Sequence, residues 1–323
     1  MQIPVHIKWK INHFGNIHIQ GTKKNIYIFT TAKSGSTWLM EMIATQRGIK
    51  YINEPFLVRN YNARFRPLPA DLNFLLPNPD RRRLIANYFK ELSHNKIPGQ
   101  SLSILSKFHN LFTNRIVFKI QRCKDLMPWF EEELRAQIVY LVRHPLAVAV
   151  TQQRYDRLPL FLANDRFCER YLTPELKEYG WSIVRDGSEL EKKVLNWSLQ
   201  NLPPMNFFDR TNWVCLTYED LVTKPRAMVE MLAKKLELPD PEKMFRQASI
   251  PYSSSHSSDK ETKSYLRQSS DADNRTVLLR KWRKKVTEQE ELHAFKILER
   301  FGIDLYQAGN NFPMPGFFES GKQ

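Results

Sequence analysis

The sequence predicts an α/β fold, a parallel sheet of about five strands flanked by helices. Three observations carry this expectation. Short runs rich in β-branched and aromatic residues recur along the chain, with helical periodicity between them. The runs are near-continuous in apolar residues, as strands buried on both faces are. Two of them pass directly into a helix start, the corner where parallel α/β sheets bind ligands.

The first run is Ile26-Tyr27-Ile28-Phe29-Thr30. A helix is expected over Thr37–Arg47, where Trp38, Leu39, Met42 and Ile43 supply the apolar positions and Gly48 a stop. Further strands are expected at Lys50–Ile52, Arg115–Ile120, Gln137–Val142 and Trp213–Thr217. The helix expected over Pro145–Tyr155 opens on a proline suited to the first turn. Pro67–Pro79 is proline-rich and reads as a surface loop. Ser249–Asp273, rich in Ser and Asp and without periodicity, reads as a long mobile loop. A last helix is expected over Thr287–Phe301, with Leu292, Phe295, Ile297 and Leu298 apolar. No internal repeat interrupts this order, and a single domain over residues 1–323 is expected.

Composition narrows the function classes. Of 323 residues, 42% are hydrophobic and 12% aromatic, enough for a sizeable core and too many for wholesale disorder. The 49 Lys+Arg against 34 Asp+Glu give +15. Such a surplus points to anionic partners: nucleic acid, an acidic membrane surface, or a phosphorylated or sulfated ligand. The run Arg275 to Lys285 carries six cations but one aromatic, Trp282. It lacks the interleaved aromatics on which bases stack, so a nucleic-acid partner is not predicted. Cys123, Cys168 and Cys215 form no CxxC pair and no disulfide framework. A reducing compartment, and so a cytoplasmic location, fits them. Met1–Gln20 lacks the apolar core of a signal peptide, and no stretch approaches the roughly 20 apolar residues of a membrane span. The eight histidines are scattered, and no metal-ligand spacing occurs. A soluble chain without a metal is expected.

Two segments carry chemistry. Thr30-Thr31-Ala32-Lys33-Ser34-Gly35-Ser36-Thr37-Trp38 leaves a buried strand and opens a helix. Gly35 permits a tight turn, the amides of Ser34 to Thr37 can address an anion, and Lys33 adds a full charge to the helix N-terminus. This is a P-loop-like phosphate-binding strand–loop–helix. It is not a Walker A loop, because Lys33 precedes the glycine and no glycine stands five residues before it. An ordinary strand–turn–helix corner with an exposed lysine is the plain alternative. In the second segment, Val139 to Pro145, Arg143 stands at a strand's carboxyl end and Thr151 follows eight residues later. An arginine with a nearby hydroxyl suits a second phosphate. A surface arginine beside a helix-starting proline is the alternative.

Together these segments resemble the sulfotransferases that use 3′-phosphoadenosine 5′-phosphosulfate (PAPS). Lys33-Ser34-Gly35-Ser36-Thr37-Trp38 resembles that family's 5′-phosphosulfate loop. Arg143-His144-Pro145 with Thr151 resembles its 3′-phosphate motif, usually Arg-Asp-Pro with a serine; His144 and Thr151 are departures. Tyr218-Glu219-Asp220-Leu221 resembles the family segment whose tyrosine lies near the adenine. Lys281-Trp282-Arg283-Lys284 resembles its late tryptophan region. Cytosolic members place a 3′-phosphate arginine seven residues before that tryptophan. Arg275 has that spacing, but Thr276 and Val277 replace the usual Lys-Gly, which leaves Arg280 and Arg283 as substitutes. The resemblance spans roughly residues 25 to 306.

The resemblance implies sulfuryl transfer from PAPS to a hydroxyl or amine, leaving 3′-phosphoadenosine 5′-phosphate (PAP), with no metal required. Lys33 and the loop amides would stabilise the leaving phosphate. Cytosolic members place a histidine base shortly after the third strand, where this chain has Gln121. Carbohydrate-type and several bacterial members use an early glutamate instead. Asn53-Glu54-Pro55-Phe56 resembles that arrangement, and Glu54 is the candidate base. His109 and His144 are alternatives, as is a plain turn glutamate. Lys119 is a candidate contact to the sulfuryl oxygens, or a strand-end lysine in solvent. Trp38 reads as a core residue beside the loop. The Glu54 arrangement leans toward a saccharide, glycolipid or small natural-product acceptor. Substrate loops are expected within Asn60–Ser106, Leu158–Asp186 and Ser249–Asp273, with Tyr155, Phe161 and Tyr171 as pocket or core residues. Two other classes stay open at this point: a nucleoside or small-molecule kinase, which would need a Walker loop and a Mg²⁺ aspartate, and a non-catalytic anion-binding module.

Overall fold

The structure is a computed structural model that describes residues 5–56, 79–98, 104–152, 158–207, 212–250 and 272–318. Tyr155 and nearly all of the loops expected at Pro67–Pro79 and Ser249–Asp273 lie outside the described residues. The fold is α/β. Its sheet has strands β1 (Ile17–His18), β2 (Ile26–Thr30), β3 (Gly48–Asn53), β4 (Phe112–Ile120), β5 (Gln137–Val142) and β6 (Val214–Thr217). The order is β1-β4-β2-β5-β6, with β3 also pairing β4. β1, β2 and β3 all run parallel to β4, with Ile17 opposite Phe112, Ile26 opposite Val117 and Asn53 opposite Lys119.

Among the described residues six strands form where about five were expected. β1 has only two residues, too short for a period to show. Side chains hold it: Asn16 Nδ2 donates to Thr113 Oγ1 at 3.1 Å, and His18 Nδ1 lies 2.9 Å from the same hydroxyl. β2 and β5 match the expected ranges because every residue of β2, and all of β5 but Gln137, is buried. β4 starts three residues before Arg115, at the exposed Phe112.

The helices depart more. The first after β2 is Ser36–Ile43, not Thr37–Arg47; the Thr45 hydroxyl donates to Met42 O at 2.7 Å as the chain turns into β3. The helix at Pro145 ends at Ala149. Pro79 opens a helix, Pro79–Ser93, instead of closing a loop. The substrate loop expected over Leu158–Asp186 is three helices, Leu158–Leu162, Asp165–Tyr171 and Pro174–Asp186. Their side chains explain this: Phe161, Phe167 and Tyr171 are buried, and Asn164 and Thr173 cap the second and third helices. The last long helix is Glu288–Arg300, started by a Thr287–Glu290 capping box.

The chain divides into two compact units. The first comprises Met1–Thr30, Ser36–Val139 and Pro225–Asp259, and the second Thr31–Gly35, Tyr140–Lys224 and Lys260–Gln323. The first unit's core is aromatic: Tyr27 stacks on Phe118 at 4.7 Å and Phe89 meets Phe130 edge-on at 5.0 Å. Arg115 is buried there and donates to Lys24 O, Leu236 O and Gln137 Oε1; burial lowers its pKa to about 10. In the second unit, Trp197, Tyr140 and Tyr306 are fully buried, and Asn201 ties the unit together by accepting from Tyr140 and donating to Thr31.

Candidate functional site

Two side-chain clusters hold the candidate residues, one in each unit. In the second unit, Lys33 and Gly35 both take left-handed backbone, φ 68° and 82°. For Lys33 that conformation costs about 1–2 kcal/mol. It is held because the Lys33 carbonyl accepts from Arg143 Nη1 at 2.9 Å. Gly35 has no alternative: a Cβ there would stand 2.4 Å from Cδ2 of the Tyr218 ring. The guanidinium of Arg143 lies over that same ring, 4.2 Å from its centroid. Trp197 Nε1 donates to Arg143 O at 3.1 Å and fixes the strand end. Lys33, Gly35, Arg143 and Tyr218, drawn from separate motifs, therefore form one constellation.

Its polar groups are not all spent. Ser34 is fully buried, yet its hydroxyl has no partner among the described residues, and neither has Arg143 Nε. A buried polar group left so costs about 1–3 kcal/mol. A phosphate or sulfate oxygen would satisfy either, and the exposed Lys33 ammonium adds charge. The cradle fits an anion.

Behind it lies a network that motif reading did not assign. Glu219 accepts from the His144 backbone N–H at 3.0 Å and from the Tyr306 hydroxyl at 2.8 Å. Burial pushes its carboxyl above the usual range. His144, where the family pattern has Asp, is buried and stacks on Trp282 at 4.6 Å. Burial lowers its pKa to about 3, which makes the ring a neutral packing group. The sequence signal was there in the Tyr-Glu-Asp-Leu segment, but not the partner that the glutamate holds.

The first unit's cluster is Glu54, Lys119 and Thr37. Glu54 follows β3 at φ 46°, again left-handed, and its N–H donates to Lys119 O at 2.9 Å. Lys119 Nζ lies 3.3 Å from Glu54 Oε1 and donates to Thr37 Oγ1 at 3.3 Å. Both charged side chains are buried, Glu54 at 7% and Lys119 at 6% exposure. Burial raises the Glu54 carboxyl; Lys119, then Arg122 and the Gln121 N–H, oppose that. Lys119 is thus not a solvent lysine, and two residues given separate roles are one ion pair.

Other candidates are placed as follows. Ser36 is buried at the helix start, and Trp38 is a core residue at 3% exposure. The Thr151 hydroxyl is turned back to the carbonyls of Ala147 and Val148, both at 3.0 Å. Arg275 lies in the helix Ala272–Arg280, but its side chain is outside the described residues. Arg283 is committed to Glu291 and Asn311, each at 2.7 Å, whereas Arg280 is exposed. Among the described residues no group of three His, Cys, Asp or Glu could hold a metal ion.

Comparison with known proteins gives the family. No curated protein matches the chain. Several solved structures show likeness, among them three sulfotransferases. The sulfotransferase domain from the curacin biosynthetic pathway is 18% identical over 89% of this chain and 100% of that one, with a TM-score of 0.47. The sulfotransferase domain from the Synechococcus PCC 7002 olefin synthase is 18% identical over 90% and 100%, TM-score 0.44. Mouse sulfotransferase SULT7A1 complexed with PAP is 13% identical over 87% and 85%, TM-score 0.43. The family model for the sulfotransferase domain matches residues 23–300, most of the chain, and the chain belongs to that family.

Proposed function

We propose that this sulfotransferase takes its sulfuryl group from PAPS and transfers it to a hydroxyl or amine of a saccharide, glycolipid or small natural product. The observation that carries the donor assignment is the Ser34 cradle: a buried, unpartnered hydroxyl between two left-handed residues, beside an arginine with an unspent Nε. The donor supplies an activated sulfuryl group on its 5′-phosphate. The Ser34–Thr37 segment and Lys33 would hold that phosphate and stabilise the charge left on it, the role in which loss of one donor costs about 10²–10³ in rate. Arg143 would take the 3′-phosphate, assisted by Arg275 or Arg280, or by Thr151 once its hydroxyl turns from the Ala147 and Val148 carbonyls, and Tyr218 would lie near the adenine.

Glu54 would accept the acceptor's proton. Burial raises its carboxyl and so favours its basic character, and the Lys119 ammonium opposes that rise. Lys119 would also meet the transferring oxygens.

The test is calorimetric titration with PAP, AMP and ATP in the absence of metal. PAP is expected to bind at least tenfold more tightly than either, and Arg143→Ala to abolish that preference. Equal binding of all three would overturn the donor assignment.

A further inference from the structure

We infer that the first unit carries a peripheral docking surface for anionic lipid bilayers, built from the helix Val5–Phe14, β1 and the segment leading into β4. Thirteen large apolar side chains are exposed among the described residues, and nine of them fall within residues 7–19 and 104–112. Scattered single exposures are normal; concentration of this kind is not.

The two segments are contiguous in space. Ile17 opposes Phe112, Ile17 N donates to Leu111 O at 2.8 Å, and Ile104 N donates to Asn12 Oδ1 at 3.2 Å. Asn16 Nδ2 adds a bond to Asn110 O at 2.7 Å. The side chains project instead of lining a groove: Leu105 is 90% exposed, Phe14 80%, Ile19 74% and Phe112 67%. Projecting aliphatic and aromatic groups suit a fluid headgroup–acyl boundary, into which each can sink separately.

Charge selects the occupant. Residues 1–40 contain five lysines and no Asp or Glu; residues 92–124 also lack Asp and Glu, and of their six Lys or Arg, Arg115, Lys119 and Lys124 are buried and take no part in this surface. Lys10, Lys96 and Lys107 are exposed within these stretches. In a two-fold contact between copies, these cation-only segments would meet themselves, without a carboxylate of their own to pair. An anionic lipid surface supplies the missing charge along with an apolar layer. Bases would not stack on isoleucine and leucine, which disfavours nucleic acid.

The geometry separates docking from chemistry. Phe112 starts β4 and Lys119 stands seven residues on, roughly 23 Å along the strand. Docking through Phe112 leaves the Glu54–Lys119 pair at the other end of the strand. The inference stands independently of the proposed donor.

The experiment is co-sedimentation of the full chain with phosphatidylcholine vesicles, with and without about 30 mol% phosphatidylserine. Binding is expected only with phosphatidylserine, and salt at about 1 M should weaken it severely. The triple variant Phe14→Ser, Leu105→Ser, Phe112→Ser is expected to partition at least tenfold more weakly, and Lys10→Glu with Lys107→Glu likewise. All five side chains are exposed, and unchanged circular dichroism and PAP affinity would show the fold intact. Failure to sediment with either vesicle would overturn the inference, as would equal partition of parent and triple variant. So would a concentration-dependent dimer that the triple variant dissolves, which would make a second copy the occupant.

Discussion

Glu54 combines three costs in one residue: left-handed backbone, a buried carboxyl and a buried cation against it. Residues held this way are usually kept for what they do. A base must be deprotonated to act, so kcat is expected to fall as pH drops through the Glu54 pKa, which burial holds above the ordinary value of about 4.3. Glu54→Gln should keep PAP affinity within about twofold while transfer falls by at least ~10². A variant with near-parental kcat would remove Glu54 from the chemistry and leave it a structural partner of Lys119. Gly35 makes a different demand. Gly35→Ala adds a left-handed cost of about 1–2 kcal/mol and drives a methyl into the Tyr218 ring. Tyr218 carries the Arg143 guanidinium, so nucleotide affinity should fall at least tenfold along with Tm. Unchanged affinity would show that the loop tolerates displacement and that the stack does not position Arg143.

At the scale of elements, β4 joins the two parts of the first unit's cluster, because Lys119 at its end pairs with the residue that follows β3. Removing one member of a buried pair strands the other's charge, commonly at about 3–5 kcal/mol. Lys119→Met should therefore destabilise strongly to urea. In the fraction that folds, it should move the acid limb of the pH–rate profile upward, since Lys119 is the largest influence lowering the Glu54 pKa. A destabilised variant with an unmoved limb would mean that Glu54 is not the group titrating. How legible these elements were follows from burial. β2 and β5 read correctly because continuous burial demands continuous apolar sequence. β1 was invisible because three polar side chains, Asn16, His18 and Thr113, hold it, not a pattern. The helices over Leu158–Asp186 do not stand out from the sequence, which reads there as a substrate loop, although Asn164 and Thr173 are there as caps. At the site, Lys33, Gly35, Arg143 and Tyr218 could be picked from the chain because each stands in a spaced motif. Ion pairs such as Glu54–Lys119, and the grip of Glu219 on His144, have no signature in spacing. They depend on register between strands and on a helix that starts just after β6.

Across the whole molecule, each unit buries one histidine in the neutral form among the described residues. In the first, burial lowers the His18 pKa to about 4, with Lys50 adding to the effect; in the second, burial lowers that of His144 to about 3. An unfolded histidine titrates near 6.5. Below that pH the unfolded chain binds protons that the native rings refuse, so these two groups lose their stabilisation as pH falls from about 6.5 toward 3–4. Glu54 and Glu219 act with the opposite sign. Their raised pKa values mean that the native state holds protons the unfolded chain has released. Their contribution is present below about pH 4.3 and is lost as pH rises through the raised values. The net curve mixes both, but single variants separate them. His144→Phe keeps a ring against Trp282 and removes the titration. Loss of the contact to Asn310 O should offset its stability by a constant at neutral pH. From pH 6.5 down to 4, the variant should gain on the parent steadily in urea midpoint. Glu219→Gln should do the reverse in sign, gaining on the parent as pH rises from about 4.3 toward neutrality. A parallel pair of curves for parent and His144→Phe would mean that the ring accepts a proton in place, and that the packing of Trp282, Phe295 and Tyr306 around it is loose enough to admit water.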